Sequence, residues 1–380
     1  MLDWKKYYDS YPVNGELIWL NNCGTTPINL WTQQRLQEYW QGYGKKGVFT
    51  DVATFPSVHK HIIDSMTSLL QCKSSELALI HNTSEGLSLV ASGLSFQEGD
   101  TVLVLENEYP SNVYPWKYQQ YRGVRLEFLQ PGAHPDEFMQ NLQKLVSEND
   151  RIKVLSLSAV HWCTGMPFPL DKISEICQEH QIKFVLDGAQ GVGHIPIDLK
   201  NVRIDYMAFS AWKWLLGPLG LGVLYIREGQ ESELTPVVVG QNSVRDGEVY
   251  LPYKEELRPG ATRYEYSTPN FADWVYFESV LAMLDKIGHD IVQRRIYELN
   301  DYLSDSLEKI GMQVFAHKTW GTPTGITTFS KPGTDTKVIA DTLKQNGVIC
   351  ALRLGKIRLA PHIYNSKEQM DRVCEIVASV

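Results

Sequence analysis

The chain has 380 residues, 43% hydrophobic and 21% charged, with 10 Trp, 19 Tyr and 12 Phe. At roughly 150 residues per domain this suggests two units with enough apolar material to offset chain entropy, and it excludes a disordered chain. Against 36 Lys+Arg stand 44 Asp+Glu, a net charge of −8 with no run of like charge, which argues against nucleic acid as the main partner.

The opening MLDWKKYYDSYPV is polar and aromatic, without the apolar stretch of a secretory signal, and points to the cytoplasm. Apolar, β-branched runs follow at 77–80, 101–105, 124–129, 152–157, 182–186, 205–209 and 219–226, separated by helical patterns such as 136–146 and 170–180. Runs that are apolar on both faces and alternate with helices predict an α/β fold, a mainly parallel seven-stranded sheet with helices on both sides. After 226 come a polar Gly/Pro-punctuated stretch at 240–268 and long helical periodicity from 273 to 310. A smaller α/β unit is expected beyond, with strands at 311–315, 325–329, 348–352 and 356–359, a helix at 337–346 and a last helix from Ser366. The expected division is 1–20 as a segment packing on the small unit, 21–270 as the large domain and 271–380 as the small one.

From Tyr206 to Ile226 the only charge is Lys213. Gly217-Pro218, Gly220 and Gly222 interrupt the run and make a membrane span improbable. A buried strand-turn-strand whose lysine snorkels to water is one reading. Trp212 and Trp214 flank the amine, however, and such surroundings disfavour its charged form, the route by which a lysine becomes a nucleophile toward carbonyls. In IKFVLDGAQG, 26 residues before it, Asp187 closes a strand, where open α/β sheets bind ligands. A carboxylate there can simply cap the next element; beside an activated lysine it has a more specific task, keeping the ring nitrogen of pyridoxal phosphate protonated. The run from His81 to Gly86 follows a strand and opens a helix, a place suited to a phosphate and equally to an ordinary capping box.

Taken together, NTSEG, ENEYPSNVYPW, DGAQ, SAWKW with GPLGLGVLYIRE, and RYEYSTPN occur in an order and spacing that resembles the class V aminotransferase family of fold-type I pyridoxal phosphate enzymes, from about Leu20 to the C-terminus. That family includes cysteine desulfurases, cyst(e)ine and sulfoxide lyases, kynureninase and isopenicillin N epimerase. The resemblance implies pyridoxal 5'-phosphate as cofactor, Lys213 as its Schiff-base lysine and Asp187 as partner of the pyridinium nitrogen. It further implies that Gln190 meets the ring hydroxyl and that Thr83, Ser84 and Ser210 hold the phosphate. Thr268 would reach the neighbouring active site of a homodimer. Tyr109 stands where many relatives stack a histidine on the ring, which a tyrosine face also satisfies. Trp212 replaces another frequent histidine, and Trp162 falls where several relatives have a small or amide residue. Arg358 matches the arginine that clamps the substrate carboxylate, and Asn22 belongs to an opening segment that lines the same pocket, with a structural turn as its alternative.

The relay type of desulfurase carries a cysteine on a loop of the C-terminal domain; here four residues separate Arg353 from Arg358 and none is cysteine. Cys350 is expected inside a strand, and all six cysteines, with no CxxC, read as buried hydrophobes rather than metal ligands. His161 is a candidate second base, His194 a satisfied packing residue and His362 a pocket-rim residue. The implied activity is that of a pyridoxal-phosphate-dependent enzyme acting at the α-carbon of a small amino acid, a carbon–sulfur lyase or aminotransferase. Alternatives are an epimerase, or a non-catalytic protein that keeps the fold for binding.

Overall fold

The computed structural model describes residues 2–315, 321 and 323–380. Among these residues the strands are β1 (Ile18–Trp19), β2 (Leu77–Ile80), β3 (Thr101–Leu105), β4 (Arg125–Leu129), β5 (Ile152–Ser158), β6 (Lys183–Asp187), β7 (Tyr206–Ser210), β8 (Gly222–Ile226), β9 (Gln313–Phe315), β10 (Thr327–Ser330), β11 (Val348–Ile349), β12 (Ala351–Arg353) and β13 (Lys356–Leu359). The helices are α1 (Trp4–Asp9), α2 (Leu30–Lys46), α3 (Phe55–Leu70), α4 (Thr83–Gly93), α5 (Tyr114–Tyr118), α6 (Pro135–Glu148), α7 (Leu170–Glu179), α8 (Phe271–Ile287), α9 (His289–Lys309), α10 (Thr336–Gln345) and α11 (Lys367–Ala378).

Seven strands form the central sheet in the order β2-β8-β7-β6-β5-β3-β4. All neighbours are parallel except β8, which runs antiparallel to both β2 and β7. Because side chains alternate across a strand, each strand feeds two cores. Leu77, Leu79, Leu103 and Leu105 join the core that α3, α6, α7 and α8 cover, while Ala78, Ile80, Val102 and Val104 join the one beneath α4 and Trp116 of α5. Coverage on both faces explains the unbroken apolar runs, and edge strand β4 is the exception, with only Leu129 buried.

Gly86 lets α4 lie close on the sheet, since a Cβ there would come within 2.6 Å of the Ala208 Cβ. The last predicted strand of the large sheet is shorter than its apolar run: residues 211–221 form a turn, and pairing begins at Gly222. A Cβ on Gly222 would meet the Phe209 carbonyl oxygen at 2.7 Å, so glycine is required where the strand passes under the start of α4.

The helical periodicity expected from 273 to 310 is two helices, broken at Gly288, whose φ is 92°. Strand 348–352 is likewise two strands: β11 pairs in parallel with β1, and β12 pairs antiparallel with β13. Cys350 is the joint between them rather than a residue inside a strand. A four-stranded antiparallel sheet, β12-β13-β10-β9, is covered by α9, α10 and α11 through Leu303, Leu307, Ile339, Leu343, Met370 and Val373. Leu20 belongs to that core as well. No helix among the described residues is long and apolar enough to cross a membrane.

Candidate active site

The C-terminal ends of β5 and β6, the turn after β7, the start of α4 and strand β13 converge on one cavity of about 410 Å³. Lys213, Asp187, Arg358, Thr83, Ser84 and Ser210 line it, and Tyr109, Trp162, Trp212 and Gln190 join them. Of the predicted site residues the structure thus brings ten into one place.

Lys213 sits in the β7–β8 turn, which is held by Ala211 N–H donating to Leu221 O (2.9 Å) and Leu216 N–H donating to Lys213 O (3.1 Å). Its Nζ lies 5.6 Å from the centre of the Tyr109 ring. Burial lowers the amine's pKa, Asp187 opposes that shift, and the positive charge of Arg358 adds to it. Asp187 ends β6, buried, and accepts the Ala189 N–H at 2.9 Å. Burial raises its pKa while Lys213 pulls it down. An amine and a carboxylate thus line one cavity, each partly deprived of water and each shifting the other's pKa.

At the helix end, the Thr83 and Ser210 hydroxyls meet at 2.7 Å, and Ser84 Oγ donates to Ser111 Oγ at 2.7 Å. Asn82 caps α4 by accepting the Glu85 N–H at 2.9 Å, so the capping reading holds for Asn82 while the hydroxyls after it face the cavity.

Arg358 is 3% exposed and donates from Nη1 to the Trp162 carbonyl. Among the described residues its Nε has no partner and no carboxylate pairs with it. A buried guanidinium with a free donor edge is costly unless an anion completes it.

Other expectations are altered. Asn22 is fully buried and both ends of its amide are in use, donating to Ala360 O at 2.6 Å and accepting from Tyr364 Oη, so the structural turn describes it and its neighbour Cys23 lines the cavity instead. Gln190 donates to Cys23 O (2.8 Å) and accepts from Trp214 Nε1 (3.0 Å). Thr268 lies in a separate cavity of about 500 Å³ with His59, Asn242 and Arg258. That cavity is larger than the one at Lys213, but it brings together no comparable set of amine, carboxylate and guanidinium. His161 accepts the Thr164 N–H on Nδ1 (3.2 Å) and reaches Asn107 O with Nε2 (3.2 Å), and burial pushes its pKa down to about 4, so it is a weak base with both ring nitrogens engaged. His362 is fully buried rather than at a rim, with Nε2 on Trp214 O at 3.1 Å. His194 packs on Trp214 with ring centres 3.9 Å apart, yet neither ring nitrogen has a partner among the described residues. Cys350 does not line the Lys213 cavity, and burial pushes its thiol up to about 11.

Sequence reasoning assigned no site role to Cys23, Glu108 or Ser111, and of the two arginines in the last hairpin it chose Arg358 and left Arg353 aside. Glu108 had a signal in the acid beside Tyr109; Cys23 and Arg353 had none, because packing of the opening segment and the β12–β13 hairpin puts them there.

The family model for aminotransferase class V matches residues 18–373. The chain belongs to the class V aminotransferase family. A probable cysteine desulfurase of Pyrococcus abyssi is 26% identical over 379 residues, 95% of this chain and 93% of the relative. A cysteine desulfurase of Synechococcus elongatus is 27% identical over 356 residues, covering 90% of this chain and 55% of that protein. Among solved structures, the apo cysteine desulfurase of Thermococcus onnurineus superposes with a TM-score of 0.87 at 23% identity, over 100% of this chain and 98% of that one. The cystine C–S lyase C-DES, in complex with its product cysteine persulfide, gives 0.88 at 20% identity over 97% and 99%. These superpositions bear out the predicted fold-type I architecture, and this class V chain is a pyridoxal-phosphate-dependent enzyme.

Proposed function

We propose that this class V enzyme works at the α-carbon of a small sulfur-bearing amino acid and releases the sulfur from Cβ, as a carbon–sulfur lyase. The observation that carries the reading is the joint placement around one cavity of a weakened base, a buried carboxylate and a buried guanidinium that has no carboxylate partner among the described residues. When bound, pyridoxal phosphate supplies an aldehyde for covalent attachment and a ring that accepts electron density from the α-carbon.

The residues fit that group. Thr83, Ser84 and Ser210 offer hydroxyls beside first-turn amides of α4, suited to a phosphate. Asp187 supplies a negative charge for the ring nitrogen. Lys213 would be the attachment point for that group, and its amine, kept partly neutral by burial, would move the proton at the substrate α-carbon. The Tyr109 face would wall the cofactor ring, and Trp162 lies edge-on to Tyr109 at 5.6 Å and 64°. Gln190, already engaged with Cys23 and Trp214, keeps one amide hydrogen for the ring hydroxyl, and Trp212 closes the cavity beside Lys213. Arg358 takes the substrate carboxylate on its free edge. Thr268 would serve the cavity of a second copy in a homodimer.

Two observations favour elimination over the alternatives. His161, the candidate second base that epimerisation would use, has both ring nitrogens engaged. One of the proteins named above, C-DES, is a cystine C–S lyase. For cysteine the balance is water in, and pyruvate, ammonia and sulfide out. Incubating the holoenzyme with cysteine, cystine, alanine and glutamate tests this: sulfide with pyruvate, absent in Lys213→Ala, is expected. Solvent deuterium at the α-carbon without product, or amino-group transfer to an added keto acid, would overturn it.

A further inference from the structure

Glu108 is a buried acid that the proposed chemistry does not use. It follows β3 and precedes Tyr109, and its carboxylate collects three donors. Oε1 accepts the Tyr109 N–H at 2.8 Å and the Ser158 hydroxyl at 2.6 Å, and Oε2 accepts the Ser158 N–H at 2.9 Å. Ser158 is the last residue of β5 and pairs in register with Asp187, the last of β6. One carboxylate therefore joins the loop carrying the Tyr109 ring to the strand end beside Asp187.

The neighbours on either side complete a bracket. Asn107, held at φ 59°, turns its carbonyl to Trp162 Nε1 (2.8 Å) and His161 Nε2 (3.2 Å). Tyr109 presents its ring to Lys213 and to the edge of Trp162. Residues 107–109 thus fix two aromatic walls of the cavity, and Glu108 is the part of the bracket anchored in the sheet.

The chemistry of the donors selects an acid. Three donors converge on two oxygens, and only a carboxylate accepts at both; an amide would turn an N–H toward one of them. The position is expensive for an acid, because burial and the negative charge of Asp187 both raise its pKa, to about 7. An uncharged side chain would cost less there, so the acid is kept for what it holds in place.

We propose that Glu108 is a positioning residue of the active site, whose carboxylate sets the Tyr109 wall against Lys213 and Asp187. The proposal rests on the pyridoxal phosphate reading, and its test separates the two. Cofactor is titrated into apo wild type, Glu108→Ala, Glu108→Gln, Tyr109→Ala and the Glu108→Ala/Tyr109→Ala double variant, following the visible absorption band and its induced circular dichroism.

Loss of charge-assisted hydrogen bonds predicts that Glu108→Ala binds the cofactor about tenfold more weakly, with a diminished induced signal. Glu108→Gln, keeping one acceptor, should fall between it and wild type. If Glu108 acts through Tyr109, the double variant is no weaker than the worse single one, the signature of coupled residues. Should Glu108→Ala fail to fold, Ser158→Ala removes only the hydroxyl donor and should shift the same readouts by about two- to fivefold. Additive losses in the double variant, or a wild-type constant and induced band in Glu108→Ala, would overturn the positioning role. A wild-type protein that gains no visible band would instead sink the cofactor reading itself.

Discussion

Replacing Arg358 with methionine separates what the site needs from what the fold needs. In the structure the guanidinium spends Nη1 on the Trp162 carbonyl and leaves Nε and Nη2 without a protein partner among the described residues. Those two groups form one edge of the planar fork, the geometry that grips a carboxylate with two parallel bonds. At about 1.5–3 kcal/mol per hydrogen bond to a charged group, less the cost of ordering the ligand, the edge should contribute about 3 kcal/mol to substrate recognition. That is roughly a hundredfold loss in kcat/KM for Arg358→Met. Arg358→Lys should recover little, because an ammonium cannot present the fork. Thermal unfolding of the apo protein should move little, since a desolvated charge with no acid partner among the described residues is removed at the expense of one carbonyl's donor. The assay compares kcat/KM for cysteine with that for cysteamine, which lacks the carboxylate. Wild type should discriminate strongly and Arg358→Met hardly at all. Equal losses on both compounds, or a variant that unfolds at a much lower temperature with kcat/KM intact, would refute the assignment.

Other consequences can be measured separately. Glu108 has its pKa raised from 4.5 to about 7, so the folded state binds more protons than the unfolded one between those values. Stability should therefore fall as pH rises through that window, by at most about 3 kcal/mol, and stay low above it. Urea unfolding of apo wild type and Glu108→Gln from pH 4 to 8 should show this slope only in wild type; parallel curves would contradict it. The lowered pKa of Lys213 leaves more of its amine neutral at a given pH, so trace acylation of the apo protein near pH 7.5, read by peptide mass mapping, should label Lys213 ahead of exposed Lys60. Labelling slower than that of Lys60 would count against an activated amine. Cys23 lines the cavity but burial raises its thiol pKa, so Cys23→Ala should keep sulfide and pyruvate release within about threefold. Its abolition, with alanine replacing pyruvate in wild type, would point to sulfur transfer instead of elimination. Gly86→Ala, which forces a methyl to 2.6 Å from Ala208, should lower stability by about 1–3 kcal/mol and weaken cofactor binding through the start of α4.

The alternation of doubly apolar runs with helical patterns made the parallel sheet legible, because a strand buried on both faces has no polar side to show. Lys213 and Asp187 were readable for a related reason: a lone charge in a 21-residue apolar run and an acid at a strand end have few uncostly explanations. Short-range order decided Asn82 as a cap, and Gly288 divides a periodicity that continues on either side of it. What the chain could not declare by itself depends on segments far apart in sequence. Asn22 stood between a pocket role and a structural turn until Ala360 and Tyr364, more than 330 positions away, took both ends of its amide. Arg358 acquires meaning from having no acid partner among the described residues, which is a property of its surroundings in space. Glu108 becomes a bracket because β5 brings Ser158 beside it from 50 residues further on. Local patterns specify which residues are buried and which elements form; only the folded packing decides which buried polar groups satisfy one another, and those left over are free to meet a ligand.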